Sequence, residues 1–116
     1  MKYICLMIDY RTPIISWWDW TDDDKEGTEF NLFTGERALY TCYKIKNTIF
    51  DIYKTLITDM WANEKVLHDT KENTILYGDK FIMNLDEKRI YIRSSWMKDE
   101  YKIFRTNKET GELEQL

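Results

Sequence analysis

Four short runs late in the chain, TILYG, KFIMNL, RIYIRSS and EYKIFRT, alternate apolar and polar residues with a period near two. That period belongs to strands, because successive side chains point to opposite faces of a sheet. The segments between the first three, GDK and LDEK, have turn composition, and so does NKETG ahead of ELEQL. Consecutive strands joined by short turns predict hairpins and a largely antiparallel sheet. Near the N-terminus, KYICLMIDY is an almost continuous apolar run that suits a strand buried on both faces. Pro13 then ends that strand, since proline restricts the residue before it and donates no hydrogen bond.

The stretch from Leu39 to Trp61 suggests a different element. Stepping 100° per residue from Cys42 gathers Ile45, Ile49, Ile52, Tyr53, Leu56 and Met60 on one side. Leu39, Tyr43, Phe50, Ile57 and Trp61 widen that arc, and the opposite half holds mostly Lys, Asn, Asp and Thr. The pattern predicts one long amphipathic helix that starts near TGERA with Thr34 as its cap. The expected fold class is therefore α+β: an antiparallel sheet of about five strands packed against one long helix. The 116 residues make a single domain, and 43% hydrophobic content is enough for a core. The segment from Ile14 to Phe33 is open between two forms, a hairpin of ISWWDW against TEFNLF or an irregular excursion.

Chemistry is constrained mainly by what the residues fail to assemble. The only histidine, His68, sits in a polar stretch and reads as an exposed turn residue. Cys5 and Cys42 lie among apolar residues and read as buried thiols. No zinc-ligand spacing, P-loop or dinucleotide fingerprint is present, so no metal and no cofactor is expected. Asp22, Asp24, Glu26 and Gly27 fit the opening of a calcium loop, but Phe33 then falls where the bidentate glutamate is required. The N-terminal KYICLMI is too short for a signal peptide, and no apolar run approaches the ~18 residues of a membrane span, so a cytoplasmic location is expected.

Two surfaces offer binding chemistry. ISWWDWTDDDKEG places Trp17, Trp18 and Trp20 beside Asp19, Asp22, Asp23, Asp24 and Glu26. From Trp17 to Phe30 the charge is −5, against −4 for the whole chain, so the other residues together carry +1. Aromatic anchors beside one sign of charge combine desolvated contact with steering toward an oppositely charged surface. On the second surface, Arg89, Tyr91 and Arg93 alternate with isoleucines, and Phe104 follows in the next strand. Such an Arg and aromatic face is how single-stranded nucleic acid is held.

The expectation is a small, acidic, non-enzymatic binder that inhibits a larger protein by covering its basic, nucleic-acid-binding surface. Its partner would be a nuclease or a CRISPR effector. The chain resembles phage-encoded anti-CRISPR proteins at the level of class, being small, acidic, single-domain and motif-free. Its 13 Ile and 12 Lys against 5 Arg and 2 Ala point to an AT-rich coding genome such as that of a phage or its bacterial host. The alternatives are an RNA or single-stranded DNA module using Arg89, Tyr91, Arg93 and Phe104, and a metal-dependent carboxylate enzyme. A homodimer through an aromatic helix edge of Tyr43, Phe50 and Trp61 is compatible with each.

Overall fold

The computed structural model describes residues 2–10, 14–19, 29–34, 37–69, 71–78, 81–93 and 101–116. Two antiparallel sheets share one core. The first contains β1 (Tyr3–Asp9), β2 (Ile14–Asp19), β3 (Glu29–Thr34) and β4 (Arg37–Lys46) in the order β2-β1-β4-β3. The second is a meander of β5 (Val66–Asp69), β6 (Thr74–Tyr77), β7 (Phe81–Asn84), β8 (Arg89–Arg93), β9 (Tyr101–Thr106) and β10 (Leu113–Gln115). Between them in the chain lie α1 (Ile49–Thr58) and the single turn α2 (Met60–Asn63). None of the helices among the described residues is long and apolar enough to cross a membrane.

This arrangement overturns the expected single sheet against one long helix. The first half of that predicted helix is β4, and Thr34 closes β3 rather than capping anything. Strand β4 hides its identity because both its faces are covered. Thr41 is 3% exposed and Cys42 is 7% exposed, although neighbouring strand residues face opposite ways. A strand apolar on both sides satisfies a helical arc as readily as a two-residue period. The helix begins only after Asn47, where Thr48 has an extended backbone and its hydroxyl accepts from the Asp51 amide at 3.2 Å. The aromatic edge proposed for that helix is likewise divided: Tyr43 belongs to β4, Phe50 to α1 and Trp61 to α2.

The four late strands form where the alternation put them, as β6 to β9, and β10 follows the NKETG turn. The early apolar run is β1, with Ile4, Leu6 and Ile8 on one face and buried Cys5 and Asp9 on the other. The hairpin of ISWWDW against TEFNLF does not form. Strand β2 pairs with β1 and strand β3 pairs with β4, so the two lie on opposite edges of their sheet. Pro13 lies outside the described residues.

Strand parity builds the core. Ile4, Leu6, Ile8 and Ile15 from the first sheet meet Ile52 and Leu56 of α1 and Ile75, Tyr77, Phe81, Met83 and Ile90 of the second sheet, all at 1% exposure or less. Three further contacts tie the sheets together. The Trp17 ring on β2 lies 4.6 Å from the Phe104 ring on β9, centroid to centroid. The Tyr77 hydroxyl donates to the Asp9 carbonyl at 3.2 Å. Buried Asn47 clamps β10, donating through Nδ2 to the Leu113 carbonyl at 2.9 Å while its own carbonyl accepts from the Leu113 amide at 3.0 Å.

Candidate functional site

The tryptophan and acid segment is divided by the fold. Trp17 registers with Leu6, which is fully buried on the inner face, and its own ring is half-buried against the core beside Phe104. Trp18 registers with Cys5, the opposite phase of β1. The expected parity, Trp17 one way and Trp18 the other, is thus present in the backbone, and Trp17 takes the inward position. Asp19 registers with Ile4 at the end of β2. Trp20, Asp22, Asp23, Asp24 and Glu26, with the rest of the calcium-loop pattern up to Gly27, lie outside the described residues, and Phe33 is in β3.

The topology nevertheless fixes both ends of the acid segment. Asp19 stands opposite Ile4, and Glu29 stands opposite Tyr43. Ile4 and Tyr43 are in adjacent strands, in the half of the pair that begins with Tyr3 opposite Lys46. Chain positions 20–28 therefore connect the two edges of a four-stranded sheet, about 14 Å apart at ordinary strand spacing.

The Arg and aromatic face is only partly assembled. Arg89, Tyr91 and Arg93 share the outward phase of β8, with Ile90 in the core. Phe104 registers with Ile90 and therefore joins the inner face, where it meets Trp17. In its place the register brings Tyr101 opposite Arg93 and Arg105 opposite Arg89. This face is not uniformly cationic. Arg105 Nε pairs with Glu114 Oε1 at 3.2 Å, and the Tyr91 hydroxyl donates to Glu87 Oε2 at 3.3 Å.

A buried polar cluster had no counterpart in the sequence reading. Asp59, 8% exposed, accepts from the Tyr10 hydroxyl at 2.8 Å and from the Tyr43 hydroxyl through Oδ2, and from the Ala62 amide through Oδ1 at 2.8 Å. Burial, chiefly, raises the Tyr10 and Tyr77 phenols well above their ordinary range, so both stay protonated donors. The one available signal was local: Asp59 stands three residues before Ala62, the spacing of a helix N-cap. With these donors on its oxygens, the carboxylate joins the residue that follows β1 to β4 and α2.

Cys5 and Cys42 are free, buried and diagonal neighbours, since Cys5 registers with Lys44 and Met7 with Cys42. Burial, together with the neighbouring Cys42 thiol, pushes Cys5 up to about 12, and burial raises Cys42 as well. The thiolate is the nucleophile, so alkylation at pH 8 is expected to be at least about 100-fold slower in the native protein than in urea. Equal rates, followed by mass spectrometry, would contradict the burial. The sign of the linkage is also fixed. A thiol whose folded pKa is raised contributes full stability below 9.0, which is lost as pH climbs toward 12. His68 is exposed within strand β5 rather than in a turn. No group of three or more His, Cys, Asp or Glu positioned for a metal ion occurs among the described residues. No family model matches the chain, and neither a curated protein nor a solved structure matches it.

Proposed function

We propose that this protein is a small non-enzymatic binder that covers a basic, nucleic-acid-binding surface of a larger protein, in the manner of phage anti-defence inhibitors. The observation that carries the reading is charge concentration. Residues 17–30 hold −5 of a chain whose total is −4, and the segment begins and ends on opposite edges of one sheet. Four carboxylates, Asp22, Asp23, Asp24 and Glu26, lie in the stretch that connects strands about 14 Å apart, with Asp19 and Glu29 at its two ends, and such a run resembles a short row of phosphates to a cationic groove. Trp18 and Trp20 supply the apolar anchors, Asp22, Asp23, Asp24 and Glu26 the charge, and Trp17 supports β2 from beneath.

The test is capture on immobilised protein from lysate of the native host, with mass spectrometry of what is retained. The expected product is a nucleic-acid-binding protein that elutes with salt and with oligonucleotide competitor. Asp22/Asp23/Asp24→Lys is expected to weaken that retention by a factor of about 100 or more, and Trp18→Ala by at least about tenfold. A triple-lysine variant that stays folded and keeps full affinity sinks the reading.

A further inference from the structure

The face of the four-stranded sheet turned away from the core brings three sulfur side chains together. Alternation along β1 sends Ile4, Leu6 and Ile8 into the core, so Cys5 and Met7 face the other way. The register of β1 with β4 sets Met7 directly opposite Cys42 and Cys5 diagonal to it, so all three share that face. The two thiols lie within hydrogen-bonding reach of each other. Cys5 is 4% exposed and Cys42 7% exposed, while Met7 is half-buried. Buried cysteines are ordinarily small apolar side chains. Here two of them pair, and a thioether stands beside the pair.

We propose that Cys5, Cys42 and Met7 form a binding site for a soft metal ion, Cu(I), held by two thiolates and one thioether. Ligand softness selects the ion. Thiolate and thioether sulfur favour Cu(I), whereas a structural zinc takes four ligands from Cys, His, Asp and Glu. No His, Asp or Glu joins the two cysteines in a group of three among the described residues. Methionine completes the set only for a soft ion. The same register disfavours a disulfide. Diagonal positions on adjacent strands lie about 7–8 Å apart, beyond the span of a relaxed disulfide. An ion between the sulfurs spans more, because each metal–thiolate bond is about 2.3 Å long, against about 2.05 Å for the whole S–S bond.

Loading exchanges protons for the ion. Cu(I) enters, both S–H bonds break, bonds form to the two thiolates and to Met7 Sδ, and two protons leave to solvent. No electron is transferred. Burial holds the Cys5 thiol up at about 12, so deprotonation waits for the metal, which removes the proton outright. The loaded site carries one net negative charge. Lys44 stands opposite Cys5 on the same face, its ammonium 5.1 Å from the Tyr3 ring, and offsets that charge. Asp9, two positions beyond Met7, is the acid of the β1 face. Met7, the most exposed of the three sulfurs, marks the side from which the ion enters. Strands β1 and β4 are the central pair of their sheet, so a bound ion ties its middle together. The site does not depend on the function proposed above.

Anaerobic competition of the whole protein against a chromophoric Cu(I) chelator tests the site. The protein should withdraw one equivalent of Cu(I), and its urea midpoint should rise on loading. Cys5→Ala and Cys42→Ala should each lower the Cu(I) affinity by at least about 100-fold, since a lost ligand costs no less than a lost outer-shell partner. Met7→Leu keeps the side-chain volume and removes the sulfur, and should lower affinity by about tenfold. X-ray absorption of the loaded parent needs no variant, and a shell of three sulfur atoms is expected. Copper left wholly with the chelator overturns the proposal. So do oxygen or nitrogen ligands in the absorption spectrum, unchanged affinity in both cysteine variants, or a Met7→Leu variant that binds as the parent does. Rapid disulfide formation in the folded protein on adding a thiol oxidant assigns the pair to redox chemistry instead.

Discussion

Replacing Asp59 with alanine is expected to lower the unfolding free energy by about 4 kcal/mol, beyond the ~0.5–3 kcal/mol of most substitutions. The reason is the number of donors that lose their acceptor together. Tyr10 has one hydroxyl proton. Given to the Asp59 carboxylate, it leaves the phenol oxygen to accept from Thr41 at 2.7 Å. The Tyr43 hydroxyl also meets Oδ2, and the Ala62 amide meets Oδ1. Hydrogen bonds to a charged acceptor contribute about 1.5–3 kcal/mol each, and a lost helix cap costs about 1 kcal/mol. These contributions overlap, so their simple sum is an upper bound. Tyr10→Phe removes one donor and leaves the carboxylate otherwise served, so it should cost about 1–2 kcal/mol. Urea denaturation of the two variants checks the order. A loss below about 1.5 kcal/mol for Asp59→Ala would show that the cluster does not hold the joint together.

That cluster also illustrates which parts of the fold were legible in advance. The six-stranded meander was largely readable because its pairings are local, and each strand from β6 to β9 announces itself by alternation next to a turn signal. Strand β5 was missed because VLHD is short and exposes three of its four residues. In the four-stranded sheet β1 was readable as an apolar strand, but the pairings were not. Its partners are chosen at long range: β1 pairs with β2 on one side and with β4 on the other, and β3 finds β4. In β4 the burial of both faces removed the period that distinguishes strand from helix. The boundary at Asn47 depends on backbone bonds to Lys2 and Leu113, which no window around residue 47 contains. The candidate site divides along the same line. The acid concentration beside the tryptophans is a property of composition and was visible at once. Which aromatic rings meet was not, because Phe104 turns inward with Ile90 through the register of β8 and β9.

Trp17→Ala is expected to cost about 3 kcal/mol of stability, the lower end of the range for large aromatic truncations because the ring is half-buried. Of this, about 1 kcal/mol belongs specifically to Phe104, whose ring sits at 4.6 Å with a 55° tilt, within the favoured geometry for an aromatic pair. The remainder is lost burial over Leu6 and the gap left between β2 and β9. A double-mutant cycle of Trp17→Ala and Phe104→Ala isolates the pair, and a coupling energy indistinguishable from zero would contradict the contact. Trp17→Phe keeps an aromatic ring at the same junction and should lose about 1 kcal/mol. The cycle also bears on function. If Trp17 joins the sheets, its conservative variant should bind any captured partner as the parent does, while Trp18→Ala weakens binding. If Trp17 is instead a contact residue, Trp17→Phe should lower partner affinity by more than its cost in stability. The three tryptophans of one short run then divide by measurement into a joint between sheets and a gripping surface.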